Sequence, residues 1–169
     1  MAGDATSFDP VYIGIDPGKS GAIAVFRPRA GRLDVFDMPT VTVKKNGREK
    51  TELSPVMLAN QMNDLRYLST ATQVILEQVG AMPGQGVSSM FNFGHSTGTI
   101  MGVLGAMGIP CTLVTPQAWK KTAGLIGTDK DAARARAIQL WPTWKELHKK
   151  GKGQALADAA LIAQHGDSK

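Results

Sequence analysis

The sequence contains one cysteine, Cys111, in 169 residues, so no intramolecular disulfide can form. Its setting, Ile109-Pro110-Cys111-Thr112-Leu113-Val114, is that of a buried strand thiol, and such sparing use of cysteine fits a reducing compartment. No stretch is long and apolar enough to span a membrane, and the start lacks the basic-then-apolar pattern of a secretory signal. Acid is also in short supply. Against 19 Lys and Arg stand 14 Asp and Glu, a net charge of +5 with a pI near 9.5. That imbalance points to an anionic partner and says nothing about fold. The hydrophobic content of 43% and the length suit one domain with a sizeable core. We expect residues 1–9 to be a disordered lead-in and residues 10–166 to form a single domain.

What the sequence does contain is a set of acids in unusual places. Val11-Tyr12-Ile13-Gly14-Ile15-Asp16-Pro17-Gly18 is an apolar run ending in a carboxylate, followed by a tight turn. Ala71 to Gly80 is a second apolar strand with Glu77 near its far end, and Ala155 to Ala163 is a run of helix formers around the single acid Asp158. Each acid has an ordinary reading: Asp16 as a turn residue, Glu77 as a strand end facing water, Asp158 as the solvated face of a helix. In the order strand acid, strand acid, helix acid, they favour a shared site. A buried carboxylate needs compensation, and hard divalent cations supply it through oxygen ligands. Such a convergence has the construction of a metal-dependent nuclease centre.

Strands are expected at Tyr12–Asp16, Gly21–Phe26 and Arg32–Asp37, as an antiparallel meander turning at Pro17-Gly18 and near Ala30-Gly31. Asn46-Gly47 signals a charged hairpin projecting into solvent. Ser54-Pro55 opens a helix with an apolar face of Met57, Leu58, Met62 and Leu65. After the Glu77 strand come a loop over Gly80 to Ser89 and a long helix to about Met107. A strand at Thr112–Val114, a short helix capped by Thr115-Pro116, a charged helix opening near Asp129 and the helix bearing Asp158 complete the chain. This order gives an α/β domain with a mixed sheet. In the long helix Gly94, Gly98, Gly102 and Ala106 recur four apart, close to one face. Each glycine costs a helix about 1 kcal/mol, so close approach of another backbone is expected there. That backbone is either the domain's own sheet or the same helix of a second subunit.

These residues resemble a known family. Ile15-Asp16-Pro17-Gly18-Lys19-Ser20-Gly21, Leu76-Glu77-Gln78-Val79 and Ala157-Asp158-Ala159-Ala160-Leu161 are similar to the retroviral-integrase/RNase H-like nucleases, and more narrowly to the RuvC-type Holliday-junction resolvases. Gly80 to Gly94 and Val114-Thr115-Pro116-Gln117-Ala118-Trp119-Lys120-Lys121 resemble its phage and bacterial branch and the chloroplast resolvases. The resemblance spans roughly Val11 to Gly166. It implies an RNase H-like mixed five-stranded sheet flanked by helices, and a homodimer that nicks two strands of a four-way DNA junction symmetrically. It also implies that Asp16, Glu77 and Asp158 are catalytic metal ligands for Mg2+ or Mn2+, two ions per active site. The setting would be cytoplasm or nucleoid in a bacterium or phage, or an organelle in a eukaryote.

One departure stands out. The family carries a fourth ligand, Asp or His, three or four residues before the last acid, where this chain has Ala155 and Gln154. Gln154 offers a carbonyl oxygen; otherwise the ligand comes from elsewhere, or the sequence carries an inactivating substitution. A junction-binding protein with little or no cleavage, and a monomeric RNase H-like nuclease on hybrids or flaps, therefore stand as alternatives.

DNA contacts are expected from Lys44, Lys45, Arg48 and Lys50 on the hairpin, from Lys120 and Lys121, and from Lys149, Lys150 and Lys152 ahead of Asp158. Met82, Pro83, Gln85 and Ser88 follow the Glu77 strand and are expected to approach the junction centre. Phe91 and Phe93 suit either base stacking or packing, and His95 reads as structural. Gly94, Gly98 and Gly102 are the expected dimer contact.

Overall fold

The computed structural model describes residues 9–45, 47–66, 72–78, 80, 84, 86–129, 131–149 and 151–168. The chain begins with β1 (Val11–Asp16), β2 (Ala22–Arg27) and β3 (Arg32–Asp37), then β4 (Thr40–Lys45) and β5 (Arg48–Leu53). α1 (Pro55–Arg66), β6 (Thr72–Glu77), α2 (Val87–Ala106) and β7 (Cys111–Val114) follow. α3 (Pro116–Thr122), α4 (Ala132–Leu140), a 3-10 turn at Lys145–His148 and α5 (Lys152–Asp167) finish it. β1 to β3 form the expected antiparallel meander, and β6 and β7 extend it in parallel, in the order β3-β2-β1-β6-β7. Among the described residues β4 and β5 pair only with each other, as the projecting hairpin; its predicted turn residue Asn46 lies outside the described residues.

The period-2 alternation of the strands divides the core into two layers. Val11, Ile13, Ile15, Ile23, Val25, Val74 and Leu76 pack with Leu58 and Met62 of α1 and Ile100 and Leu104 of α2. Ala22, Ala24, Phe26 and Ile75 point the other way, against α5 with α3 and α4 beyond it. α5 is buried almost all round, and its small residues Ala157, Ala159, Ala160 and Ala163 let it lie close on the sheet. Gly14 is the point of closest approach: a Cβ there would overlap the Ala159 carbonyl and the Ala163 amide.

Local signals are obeyed where they are strong. Ser54 Oγ accepts from Met57 N at 3.3 Å and Thr115 Oγ1 from Ala118 N at 3.3 Å, capping α1 and α3. α4 starts at Ala132, just past the expected Asp129, whose Oδ1 accepts from Asp131 N at 3.1 Å ahead of the helix. The 3-10 turn at Lys145–His148 has no local signal. It is set by tertiary contacts: Trp144 Nε1 donates to the Leu33 carbonyl, and Leu147 is fully buried. Residues 1–8 of the expected lead-in lie outside the described residues, whereas Asp9 is ion-paired with Arg29 at 3.1 Å. Cys111 is half-buried on β7.

Candidate active site and nucleic-acid interface

Asp16 and Glu77 come together through register. Gly14 pairs with Ile75 and Ile15 with Leu76, so the next residues in each parallel strand, Asp16 and Glu77, stand side by side at the carboxyl ends. Both follow Gly14 and Ile75 by two and therefore face α5. The tight turn after Asp16 leaves no space for a side chain at Gly21, whose Cβ would overlap the Asp16 carbonyl. α5, seated on β1 at Gly14, carries Asp158 one residue before Ala159 and so brings it to the same end of the sheet.

The three carboxyls share one electrostatic field. Burial pushes Asp16 well above the usual carboxylate range, and the charges of Glu77 and Asp158 push it further. Asp158 is raised to about 7 by burial and by Glu77, against the opposing effects of Gln154 and Lys120. Glu77 is raised by burial, with Trp119 and Lys120 opposing. Two of the acids are tied back by neutral donors: Trp119 Nε1 donates to Glu77 Oε1 at 2.8 Å, and Gln154 Nε2 to Asp158 Oδ1 at 3.0 Å. Among the described residues no group of three or more His, Cys, Asp or Glu is arranged to hold a metal ion. The donor chemistry nevertheless fits divalent cations: buried carboxylates that disfavour one another's charge gain most from a hard cation. Gln154 Oε1 is buried without a hydrogen-bond partner, turned away from the carboxylate its amide group holds.

Two cavities adjoin two of these acids, Asp158 and Asp16. One of about 240 Å³ lies beside Asp158 and Gln154, bounded by Lys120, Thr128 and Asp129. The other, about 1090 Å³, is an open groove running from Asp16 and Lys19 past Lys45 and Lys50 of the hairpin to Ser88 and Phe91 of α2. Lys44, Arg48 and Lys50 are exposed on the hairpin, while Lys45 pairs with Glu52 at 2.7 Å. Lys120 and Lys121 are exposed on α3, and Lys120 lies close enough to lower the pKa of both Glu77 and Asp158. Lys149 is exposed, and Lys152 pairs with Asp37 at 2.5 Å at the edge of the sheet. Met82, Pro83, Gln85 and Lys150 lie outside the described residues.

Among the described residues the glycine stripe does not pack against the domain's own sheet. A Cβ at Gly94, Gly98 or Gly102 would meet nothing within 4 Å, because α2 buries its opposite face, Ser96, Ile100 and Leu104. Phe91, 71% exposed, is likewise no core residue and stacks on His95 with ring centroids 6.3 Å apart. Sequence reasoning missed Trp119 as the partner of Glu77 and Lys19 as a lining residue of the groove. The signal for Trp119 was available: a tryptophan on a short capped helix directly after a strand, once buried, must find an acceptor for its indole N–H.

No protein-family model matches the chain. A curated relative, the chloroplastic Holliday junction resolvase MOC1 of Chlamydomonas reinhardtii, is 35% identical over 83 residues, which are 48% of this chain and 9% of that protein. The match thus spans about a tenth of the relative's length. Among solved structures, T. thermophilus RuvC in complex with a Holliday junction substrate aligns with a TM-score of 0.58 at 10% identity, over 94% of this chain and 95% of the other. A second Thermus thermophilus RuvC structure aligns with a TM-score of 0.53 at 16% identity over the same shares. The mixed sheet, the helix across it and the acids at its carboxyl end are thus set in the α/β, RNase H-like fold of RuvC, which this chain resembles over nearly its whole length.

Proposed function

We propose that this chain is a structure-specific endonuclease that binds four-way DNA junctions as a homodimer and resolves them by symmetric, metal-dependent nicking. The observation that carries the reading is the electrostatic coupling of Asp16, Glu77 and Asp158 at the sheet's carboxyl end, with Asp16 at the head of a groove edged with lysines. Asp16, Glu77 and Asp158 would hold two Mg2+ or Mn2+ ions, with the amide oxygen of Gln154 as the fourth donor once that side chain turns its oxygen toward Asp158. Bound there, the ions supply Lewis acidity toward the scissile phosphate and lower the pKa of water. Lys120, beside two of the acids, draws the phosphate to the site without reading sequence. Lys45 and Lys50 grip the backbone along the groove, joined by Lys44, Arg48, Lys121, Lys149, Lys150 and Lys152 as the duplex arms extend. Ser88, with Met82, Pro83 and Gln85 ahead of it, meets the junction centre.

The open Gly94, Gly98 and Gly102 face of α2 supports the dimer, since glycines without neighbours leave the helix backbone accessible to a second copy. Such a dimer sets two active sites against opposed strands. The named activity of the partial relative and the DNA in the RuvC complex support the choice of substrate. Location follows the host's DNA, in a nucleoid or an organelle. Gln154 in place of an acid favours one second reading, a junction binder that does not cut. Cleavage of a labelled four-way junction against linear duplex, with Mg2+, with Mn2+ and with chelator, separates them. Paired nicks confined to the junction support the resolvase; tight binding without nicks in either metal supports the binder.

A further inference from the structure

Glu77 is held from two directions. Its backbone end is locked because Gln78 N donates to the Val114 carbonyl at 2.7 Å, pinning the end of β6 to the end of β7. Its carboxyl end meets Trp119, whose indole Nε1 donates to Oε1 at 2.8 Å across 42 residues of sequence. Trp119 is 1% exposed, so this donor is fixed by packing. The helix that presents it is anchored in turn: Thr115 caps α3, and Ala123 N donates to the Trp119 carbonyl at 2.9 Å. Lys120 Nζ lies 5.4 Å from the centre of the Trp119 ring, on the same helix.

An indole N–H donates only; it neither ionises nor coordinates a cation. A lysine in its place would compete with a metal by charge, and a histidine would change role with its tautomer. Trp119 constrains one oxygen of Glu77 and leaves the carboxylate its charge. From this geometry we propose that Trp119 is a positioning residue: it occupies Oε1 of Glu77 and fixes the carboxylate's orientation, so that Glu77 would meet a metal already oriented, with Oε2 free of that hydrogen bond. The proposal rests on the metal-binding reading above and deepens it. Outer partners of this kind are worth about 10- to 100-fold in metal affinity.

The test replaces Trp119 by 3-benzothienylalanine, which keeps the ring's shape and exchanges N–H for sulfur, with Trp119→Phe as a second variant and Asp16→Asn as the metal-binding control. Mn2+ binding is read by electron paramagnetic resonance in the absence of DNA. Junction affinity in chelator and metal-free thermal stability are measured alongside. The expected result is Mn2+ affinity about 10- to 100-fold weaker for the benzothienyl variant, with junction affinity in chelator unchanged and metal-free melting lowered only by the lost hydrogen bond, far less than for Trp119→Phe. Unchanged Mn2+ affinity overturns the proposal. So does a loss of metal-free stability and junction affinity that matches the loss of Mn2+ binding, since Trp119 would then be packing alone. A wild-type chain that binds no more Mn2+ than Asp16→Asn overturns the metal reading itself, a failure visible before any variant at 119 is compared.

Discussion

Replacing Asp158 by Asn should stabilise the metal-free protein at alkaline pH and do little at acid pH. The carboxyl titrates near 3.8 in the unfolded chain and at about 7 in the folded one, through burial first and the Glu77 charge second. Below the lower value both states hold the proton. Between the two the folded state keeps a proton that the unfolded chain has released, so stability falls as pH rises through that window and stays lower above it. A difference of about three pH units at ~1.4 kcal/mol each sets a ceiling of about 4 kcal/mol. Solvent reaching the cleft reduces this, and about 2 kcal/mol is the expected gain, or ~4–8 °C in Tm for a chain of this size. Asparagine keeps the shape and still accepts the bond from Gln154, so packing is unchanged. It also relieves Asp16, whose carboxyl is raised in part by the Asp158 charge. The assay is thermal unfolding of both proteins in chelator at pH 4 and pH 8, followed by addition of Mg2+. A gain at pH 8 no larger than that at pH 4 would refute the reasoning, and Mg2+ should restore more stability to the wild type than to the variant.

Asp16→Asn is expected to abolish nicking of a four-way junction while leaving its affinity largely intact, measured by gel shift in Ca2+; loss of both in a folded protein would contradict the division between cutting and gripping residues. Exchanging Lys44, Arg48 and Lys50 for Ser, with Lys45 left in its pair with Glu52, should lower junction affinity and flatten the slope of log K against log salt by about 2 to 3. An unchanged slope removes the hairpin from the interface. Gly14→Ala should cost at least about 3 kcal/mol, and ~6 °C or more in Tm, because the added methyl meets backbone atoms of α5 that cannot turn aside. A stable, active Gly14→Ala protein would mean that α5 is free to lift from the sheet.

The sequence by itself determined the elements and the acids. Alternating apolar residues and the Pro17-Gly18 turn specified the meander, and Ser54 and Thr115 specified two helix starts, since these are local effects of sterics and short-range hydrogen bonds. Asp16, Glu77 and Asp158 were legible because a lone acid in an apolar run is costly to bury and invites a reason. What the local pattern left open was decided by the fold. Whether Asp16 and Glu77 are neighbours depends on parallel register, and no local preference in either strand sets it. Whether the glycine stripe is covered depends on which face of α2 meets the core, and Ile100 and Leu104 turned the stripe outward. The charges of Lys45 and Lys152 looked free in sequence but are engaged by Glu52 and Asp37, seven and 115 positions away. Trp119 became the partner of Glu77 only because β6 and β7 lie side by side with α3 folded over their ends. Composition and spacing choose which groups are present; long-range packing chooses which of them meet, because contact across the chain is fixed by burial of both faces of the sheet at once.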